Sequence, residues 1–271
     1  MIIIGEKING AIPSIKQAIA DRDAELIKQR TILQTEAGAN VLDCAPSCAP
    51  ELEYDAMVWL LDIMQEVSDV PICIDSPNPE LLKRVFEDGL VKKPGMVNSV
   101  NMEKDGLKCD MLFPLVAGTD WEVVGLTCDN DGIPYESQKK IDIAKRMIDK
   151  ANHYGVALSK FHIDPCVMAL STMSNAMRDF ETCIQGIHDY APEVKVTGAI
   201  SNISFDMPAR KFVNSNCMAY AIKAGLDSAI MDPCNAEMMG TIYACEALCE
   251  KDKSGRKYNR AYRAGKFGQK K

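Results

Sequence analysis

The residues best suited to chemistry in this sequence are aspartates and asparagines that stand at the ends of short apolar runs. Asp75, Asn98, Asp164 and Asn202 each close or follow such a run. The two oxygens of a carboxylate can accept two neighbouring N–H donors, and an amide supplies both a donor and an acceptor. Side chains of this kind are suited to hold the polar edge of a flat heterocycle or of a sugar.

The same pattern recurs along the whole chain, once for each apolar run. The polar residues at these ends are Glu6, Asp43, Asp75, Asn98, Asn101, Thr127, Asp129, Asp164, Asn202 and Asp232. Asp, Asn and Ser also cap helices, and capping explains any one of them taken alone, Ser76 and Asp232 above all. Capping explains less well why four residues from separate runs should meet at one place.

The elements that must position these residues are short strands that alternate with amphipathic helices. Continuous Val, Ile, Leu and Cys content, typical of strands buried on both faces, lies at 1–4, 40–44, 70–74, 95–98, 122–127, 160–163, 194–200 and 228–231. Helical spacing lies between them at 24–39, 55–67, from Pro79 onward, 137–154, 175–190, 217–224 and 237–249. Eight such units predict an α/β fold, a single-domain (β/α)8 TIM barrel, with a doubly wound sheet as the alternative.

A TIM barrel gathers the carboxyl ends of its strands at one mouth, where barrel enzymes carry their active sites. The length of 271 residues suits one such domain. We expect the barrel to occupy residues 1–250. Residues 251–271 are rich in Lys, Arg and Gly, and we expect a solvated or partly disordered basic tail. The alternative is a tail that contacts an acidic partner or ligand.

Composition excludes several classes of function. A net charge of −7 argues against general nucleic-acid binding. The eleven cysteines follow no paired spacing, and the three histidines form no metal-binding array, so we expect no metal site. No apolar run reaches the ~18 residues of a membrane span. The amino terminus turns acidic too soon for a secretory signal, and we expect a cytoplasmic protein.

The hydrogen-bonding groups at the mouth are compatible with a reduced pterin. Its ring presents N3–H beside an exocyclic amine, with a further N8–H in reduced forms, and aspartates can accept from such an edge. A purine or a sugar can also be held by Asp and Asn, so these residues alone leave the ligand open.

The motifs, taken in order, resemble those of the methyltetrahydrofolate:corrinoid protein methyltransferases, in the pterin-binding barrel group that also contains the dihydropteroate synthases. The similarity runs through most of the chain. Its segments are Ile3-Ile4-Gly5-Glu6-Lys7-Ile8-Asn9-Gly10, Asp75-Ser76, Asn98-Ser99-Val100-Asn101, Gly125-Leu126-Thr127, Gly132-Ile133-Pro134, Ile163-Asp164-Pro165, Ser201-Asn202-Ile203-Ser204, Gly225-Leu226-Asp227 and Met231-Asp232. Their order and spacing, rather than any single segment, carry the resemblance.

The resemblance implies a role for each site residue. Asp75, Asn98 and Asp164 would hold the pterin edge, and Asn202 would act as the catalytic residue at N5. Arg210 would meet the polar side of the folate or steer the corrinoid. Glu6 and Asp43 would complete the substrate-binding set. This set consists of Asp75, Asn98, Asp164, Asn202, Arg210, Glu6 and Asp43. The chain departs from some family members at Ala45, where they carry Asn, which puts a contact from the second strand in doubt.

The resemblance also implies the reaction. It is a methyl transfer between N5 of tetrahydrofolate and the cobalt of a corrinoid, in either direction, as in acetogenic or demethylation pathways of anaerobic one-carbon metabolism. The chain has no Asp-x-His-x-x-Gly segment, so a separate protein is expected to bring the corrinoid. A homodimer is expected from the family. The alternatives are a dihydropteroate synthase-like enzyme, disfavoured because no Ser-x-Arg lies near the eighth strand, and a noncatalytic folate-binding component.

Overall fold

The computed structural model describes residues 1–268, in which eight parallel strands form one barrel. The strands are β1 Ile2–Gly5, β2 Val41–Cys44, β3 Ile72–Asp75, β4 Met96–Met102, β5 Glu122–Asp129, β6 Phe161–Asp164, β7 Lys195–Val196 and β8 Ser228–Met231. Consecutive strands pair from β1 to β7, and β1 also pairs with β8. Backbone bonds of 3.0 Å from Asp227 N to Val196 O and from Ile230 N to Gly198 O join β8 to β7 and complete the ring. The predicted TIM barrel is confirmed.

Helices surround the barrel and cover its outer face. They are α1 Pro13–Asp21, α2 Ala24–Ala37, α3 Pro50–Val67, α4 Pro79–Glu87, α5 Leu107–Val116, α6 Ser137–Tyr154, α7 Ala176–Tyr190, α8 Arg210–Ala224, α9 Ala236–Leu248 and α10 Arg256–Arg263. Local signals set several ends. The Asp23 carboxylate accepts the Leu26 N–H and begins α2, and Gly38, at φ 104°, ends it. Among residues 1–268, no helix is long and apolar enough to cross a membrane.

Two apolar layers hold the barrel together. The larger one fills the space between strands and helices, and its bulkiest members are Phe113, Phe161 and Phe180. A smaller cluster inside the barrel consists of Ile4, Val41, Cys73, Met96 and Val124. Because strand residues alternate between the two faces, the residue two positions further along each strand also points inward. The inner apolar layer therefore fixes which polar residues lie above it.

The segment after residue 250 differs from the prediction. Asp252 accepts the N–H groups of Lys257 and Tyr258 at 2.9 Å and so begins α10. The buried Phe267 then stacks on Tyr243 of α9, with ring centroids 5.5 Å apart. Residues 252–268 are folded rather than disordered, because apolar Phe267 anchors a helix, and the basic residues of this helix are exposed to solvent. The last three residues of the expected tail lie outside the described residues.

The position of α10 also bears on the alternative reading of this segment. Helix α9 starts at the carboxyl end of β8 and runs back to the opposite end of the barrel, where α10 follows. Phe267, after α10, packs against Gly240 and Tyr243 in the middle of α9, so this segment runs back alongside α9. A contact between this segment and an acidic partner or a folate tail stays a prediction.

Candidate active site at the mouth of the barrel

Strand register places three of the predicted residues side by side inside the mouth. Asp75 pairs directly with Asn98, and it stands two positions beyond Cys73 of the inner apolar cluster. Asp164 pairs with Leu126, the inward residue of β5 two positions beyond Val124. Paired residues on neighbouring strands share a face, so these side chains point into one opening. Asn98 and Asp164 are only 7% and 6% exposed.

The floor between these polar side chains is apolar. Leu126 and Ile230 are partly buried and pack on the inner cluster. A flat ring can lie on such a floor while its edge meets the carboxylates and the amide. This combination is typical of ligand sites, in which a few polar groups fix orientation within an apolar lining.

Asn202 reaches the same end of the barrel on a short 3-10 turn. The turn spans Ile200–Ser204 after β7, and the residue before it, Ala199, makes a parallel bridge to Ile230 of β8. Asn202 is half-buried. Its backbone N–H bonds to the Ala199 carbonyl at 3.1 Å, which fixes the start of the turn. The turn that carries Asn202 therefore forms part of the wall of the mouth opposite β3 and β4.

Arg210 has a structural role that the sequence does not reveal. Its Nη2 donates to the Ser201 carbonyl at 2.7 Å and its Nε donates to Ser204 Oγ at 2.9 Å. The guanidinium also lies 4.9 Å from the Phe205 ring centroid. These contacts brace the turn that carries Asn202, because they tie its first and last parts to the start of α8. A direct contact between Arg210 and folate stays a prediction.

Glu6 and Asp43 lie at different depths. Half-buried Glu6 follows β1, and its pKa is raised by burial, lowered by Lys7, raised by Asp232 and lowered by Arg210. These four charged groups therefore meet on one side of the mouth. Asp43 pairs with Cys73, one layer below Asp75, and is 2% exposed. Burial and the Asp75 charge hold the pKa of Asp43 well above its usual range.

The two carboxylates of the predicted pterin edge have different electrostatic surroundings. Burial and the nearby Glu53 charge raise the pKa of Asp75 to about 7. Burial raises the pKa of Asp164 to about 6, opposed by the Cys166 N–H and by the Lys140 charge. The Cys166 N–H donates to Asp164 Oδ1 at 2.7 Å and leaves Oδ2 for a ligand. At neutral pH, Asp164 is mostly ionised and Asp75 is close to half ionised.

Sequence reasoning missed Glu53, which lies on α3 behind Asp75. Its side chain is 4% exposed, and its Oε1 accepts the Ser76 hydroxyl at 2.7 Å. Ser76 Oγ in turn accepts the Asn78 N–H at 3.0 Å, but Asn78 rather than Ser76 caps α4, so the expected capping role of Ser76 is wrong. The signal in the sequence is a glutamate on the apolar face of a helix, one turn before Met57. Buried glutamates are rare unless they have a partner.

Two buried polar groups near the mouth have no hydrogen-bond partner in the described part of the protein. Within residues 1–268, Asp43 Oδ1 and the Thr197 hydroxyl are buried without a hydrogen-bond partner. Buried polar atoms are nearly always paired, so unpaired ones deserve an explanation. Asp43 lies directly below the mouth, and Thr197 follows β7, before the turn that carries Asn202. Within the same residues, no group of three or more His, Cys, Asp or Glu side chains is arranged to hold a metal ion.

A closed parallel barrel with a buried carboxylate-and-amide edge over an apolar floor is typical of barrel enzymes that bind a small polar ligand at the mouth. The model of the pterin binding enzyme family matches residues 14–232. The methylcorrinoid:tetrahydrofolate methyltransferase of Eubacterium limosum is 48% identical over 270 residues, which cover 99% of this chain and 98% of that protein. The chain therefore belongs to the pterin binding enzyme family.

More distant relatives agree with this assignment. The methionine synthase of Mycobacterium tuberculosis is 31% identical over 245 residues, covering 85% of this chain but only 20% of that protein. The dihydropteroate synthase of Stenotrophomonas maltophilia superimposes with a TM-score of 0.65 at 14% identity, over 91% of this chain and 92% of that chain. That of Yersinia pestis gives a TM-score of 0.63 at 15% identity, over 92% and 94%. The synthase structures show the fold alone.

Proposed function

We propose that this protein is a methyltransferase that moves a methyl group between the cobalt of a corrinoid, carried by a separate protein, and N5 of tetrahydrofolate. The observation that carries the proposal is the convergence of Asp75, Asn98 and Asp164 on one apolar-floored mouth. The full-length similarity to a methylcorrinoid:tetrahydrofolate methyltransferase supports the same reaction.

The pterin ring would lie on Leu126 and Ile230 with its N–H edge toward the two aspartates. Ionised Asp75 and Asp164 each accept hydrogen bonds from this edge, and Asn98 between them matches a mixed donor and acceptor. A site that pairs every polar atom of a ring rejects analogues that leave one atom unpaired. The carboxylates therefore account for selectivity toward a reduced pterin over a simple aromatic ring.

The methyl group would move by direct displacement. In one direction, the N5 lone pair of tetrahydrofolate attacks the methyl carbon, the cobalt–carbon bond breaks, and its electron pair stays on cobalt as Co(I). The proton of N5 leaves to solvent. In the other direction, Co(I) attacks the methyl of 5-methyltetrahydrofolate, and N5 regains a proton. The 48% identical relative is a methylcorrinoid:tetrahydrofolate methyltransferase, which favours methylcorrinoid as the donor and tetrahydrofolate as the acceptor.

Asn202 would act at N5, on the wall facing the incoming cobalt. An amide N–H that donates to N5 more strongly when charge changes there lowers the barrier without altering ground-state binding. Loss of one such donor costs ~3 kcal/mol, or on the order of a hundredfold in rate. Asparagine does not itself supply a proton, so the proton is exchanged with solvent through the open mouth.

The partner in this proposal is a corrinoid protein that presents cobalt at the mouth. The chain itself has no Asp-x-His-x-x-Gly segment to ligate a corrinoid. We also propose a cytoplasmic homodimer of such chains that does not bind nucleic acid, on the basis of the family and of the net charge of −7.

The test is to mix the purified protein with tetrahydrofolate and methylcobalamin, or with a methylated corrinoid protein, and to follow the cobalt spectrum. We expect conversion to Co(I) and formation of 5-methyltetrahydrofolate. Asn202→Ala should lose about a hundredfold in turnover and keep its affinity for folate. Folate binding without transfer, in either direction and with a matched corrinoid protein, would instead identify a noncatalytic folate-binding component.

A further inference from the structure

A fully buried lysine lies behind the mouth, outside the residues assigned above. Lys140 is in the first turn of α6, and its side chain is 1% exposed. Lysines are almost never fully buried unless they are paired. A positive charge in the first turn of a helix is also unfavourable, because the amino end carries the positive pole of the helix dipole. Both features indicate that Lys140 has a role other than stabilising α6.

The contacts of Lys140 form a chain that ends at Asp164. Its Nζ donates to Asp179 Oδ2 of α7 at 2.6 Å and to the Cys166 carbonyl at 3.2 Å. The N–H of Cys166 donates to Asp164 Oδ1 at 2.7 Å. The second oxygen of Asp179 accepts the Ser137 hydroxyl at 2.7 Å, so the carboxylate has a partner on both sides. The ammonium group is therefore one residue removed from the carboxylate that faces the ligand.

The backbone at Cys166 needs this support. Its φ of 59° lies in the left-handed region, which residues other than glycine rarely adopt. Asp164 holds the N–H of this residue and Lys140 holds its carbonyl oxygen. Without the ammonium group, the peptide unit that follows the Cys166 Cα is released. The unit before this strained Cα, whose N–H orients Asp164, then loses support from the other side.

We propose that Lys140, held by Asp179, is a positioning residue for Asp164: it clamps the Cys166 peptide and supplies the positive charge that favours the ionised, ligand-accepting carboxylate. The proposal rests on the proposed function, in which Asp164 accepts N–H groups of the pterin. A buried ion pair is weak support for stability, since apolar residues of similar size often serve as well. A role in orientation explains why charge is retained here.

The other groups near Asp164 supply no competing positive charge. The thiols of Cys166 and of Cys128 on β5 have their pKa raised by burial and stay protonated. Asp75 faces the same mouth from β3 and is an acid, so it supplies no positive charge either. Lys140 is the cation that lowers the pKa of Asp164. Its loss should move that pKa upward from about 6.

The experiment compares two double variants that keep the interior neutral overall. Lys140→Met with Asp179→Leu removes both the clamp and the charge. Lys140→Gln with Asp179→Asn keeps an N–H donor for the Cys166 carbonyl but removes the charge. The matched control is Lys150→Met with Asp110→Leu, because this pair also joins α6 to a neighbouring helix at 2.6 Å but lies toward the far end of α6.

Two readouts are measured from pH 5.5 to 8.5: affinity for 5-methyltetrahydrofolate, and the titration of Asp164 by carbon NMR with labelled aspartate and no ligand. In both double variants the Asp164 midpoint should move to higher pH, and affinity at pH 6 should fall ~3-fold or more. At pH 8.5 the amide variant should approach the wild type, whereas the apolar variant stays weaker. The control pair should follow the wild-type curve.

Folded variants whose Asp164 midpoint and pH–affinity curve superimpose on the wild type would overturn the proposal and leave Lys140 a purely structural residue. If the apolar pair does not fold, the amide pair carries the same test. The NMR titration needs no folate, so its result stands apart from the proposed function. A wild-type protein that titrates as expected but binds no folate contradicts the proposed function alone.

Discussion

The structure predicts that Asp75 lowers the stability of the free protein while it contributes to folate binding. Burial and Glu53 raise its pKa in the folded protein to about 7, against 3.8 for the ordinary group. The folded state therefore binds a proton more readily than the unfolded state over this range. Stability falls as pH rises from about 4 through 7, and above 7 the full cost is present. About three pH units at ~1.4 kcal/mol each give a cost of up to about 4 kcal/mol.

We predict that Asp75→Asn stabilises the free protein by up to about 4 kcal/mol at pH 8 and by less than half of that at pH 5. The amide occupies nearly the same space and has no charge to bury. At pH 5 the folded wild-type carboxyl is already protonated, whereas the unfolded one is still mostly ionised, so only part of the cost is present. The same change puts an N–H₂ group where the pterin presents N–H donors, so affinity for tetrahydrofolate should fall ~10- to 100-fold. Urea unfolding at the two pH values and a folate titration measure both effects.

Asp120→Asn is the control, because Asp120 is exposed at the opposite end of the barrel and pairs with Lys160 at 2.7 Å. It should show no pH-dependent gain in stability and no change in folate affinity. A change in stability that is equal at pH 5 and pH 8 would refute the reasoning. It would mean that the Asp75 carboxyl has the same pKa in the folded and unfolded states. Unchanged folate affinity would remove Asp75 from the site.

Two further predictions concern the frame around the mouth. A Cβ at Gly10 would lie 1.9 Å from the Pro46 carbonyl oxygen, so Gly10→Ala should force the loops after β1 and β2 apart. We expect a loss of ~2 kcal/mol in urea unfolding and weaker folate binding; a neutral result would mean that these loops part freely. At the other end of the barrel, buried His162 bonds to Glu122 at 2.6 Å. His162→Ala should cost ~3 kcal/mol and leave folate affinity unchanged, and altered affinity would contradict its assignment to the far end.

The sequence predicts most of the barrel because the hydrophobic periodicity and the residues that end helices and strands indicate the same elements. The eighth strand at 228–231 and the helix at 137–154 have the predicted bounds. Helix α5 is missed because Pro114 lies inside it and its apolar content is nearly continuous. Strand β7 is only two residues long, against the predicted 194–200, because the chain enters the 3-10 turn that carries Asn202.

The starts of two helices and the fold of the last helix are features that local sequence patterns do not predict. Helix α3 begins at Pro50 rather than residue 55, and α8 begins at Arg210 rather than residue 217. Their first turns mix charged residues with exposed apolar ones, Leu52 in α3 and Phe212 in α8, so no buried apolar stripe marks them. The fold of α10 depends on Phe267 meeting aromatic rings of α9 and α10. A single apolar residue in a basic segment does not predict such a contact.

The site residues on strands were predictable because a barrel brings every strand end to one mouth, whatever the helices do. Their electrostatic partners were not. Glu53 and Lys140 reach Asp75 and Asp164 from helices outside the barrel, and the contact depends on how α3 and α6 pack. The sequence predicts which carboxylates face a ligand, and only tertiary structure shows which of them is ionised.

The difference in pKa between Asp75 and Asp164 has a measurable consequence. With pKa values of about 7 for Asp75 and about 6 for Asp164, the free site at pH 6.5 holds ~1 proton in total. A pterin edge that donates N–H groups to both carboxylates binds the ionised forms, so folate binding at pH 6.5 should release ~1 proton and at pH 8.5 almost none. Calorimetry in buffers of different ionisation heat measures this release directly. Binding without proton release at pH 6.5 would mean that the carboxylates do not both accept from the ring, and that a different edge of the ligand faces β3 and β6.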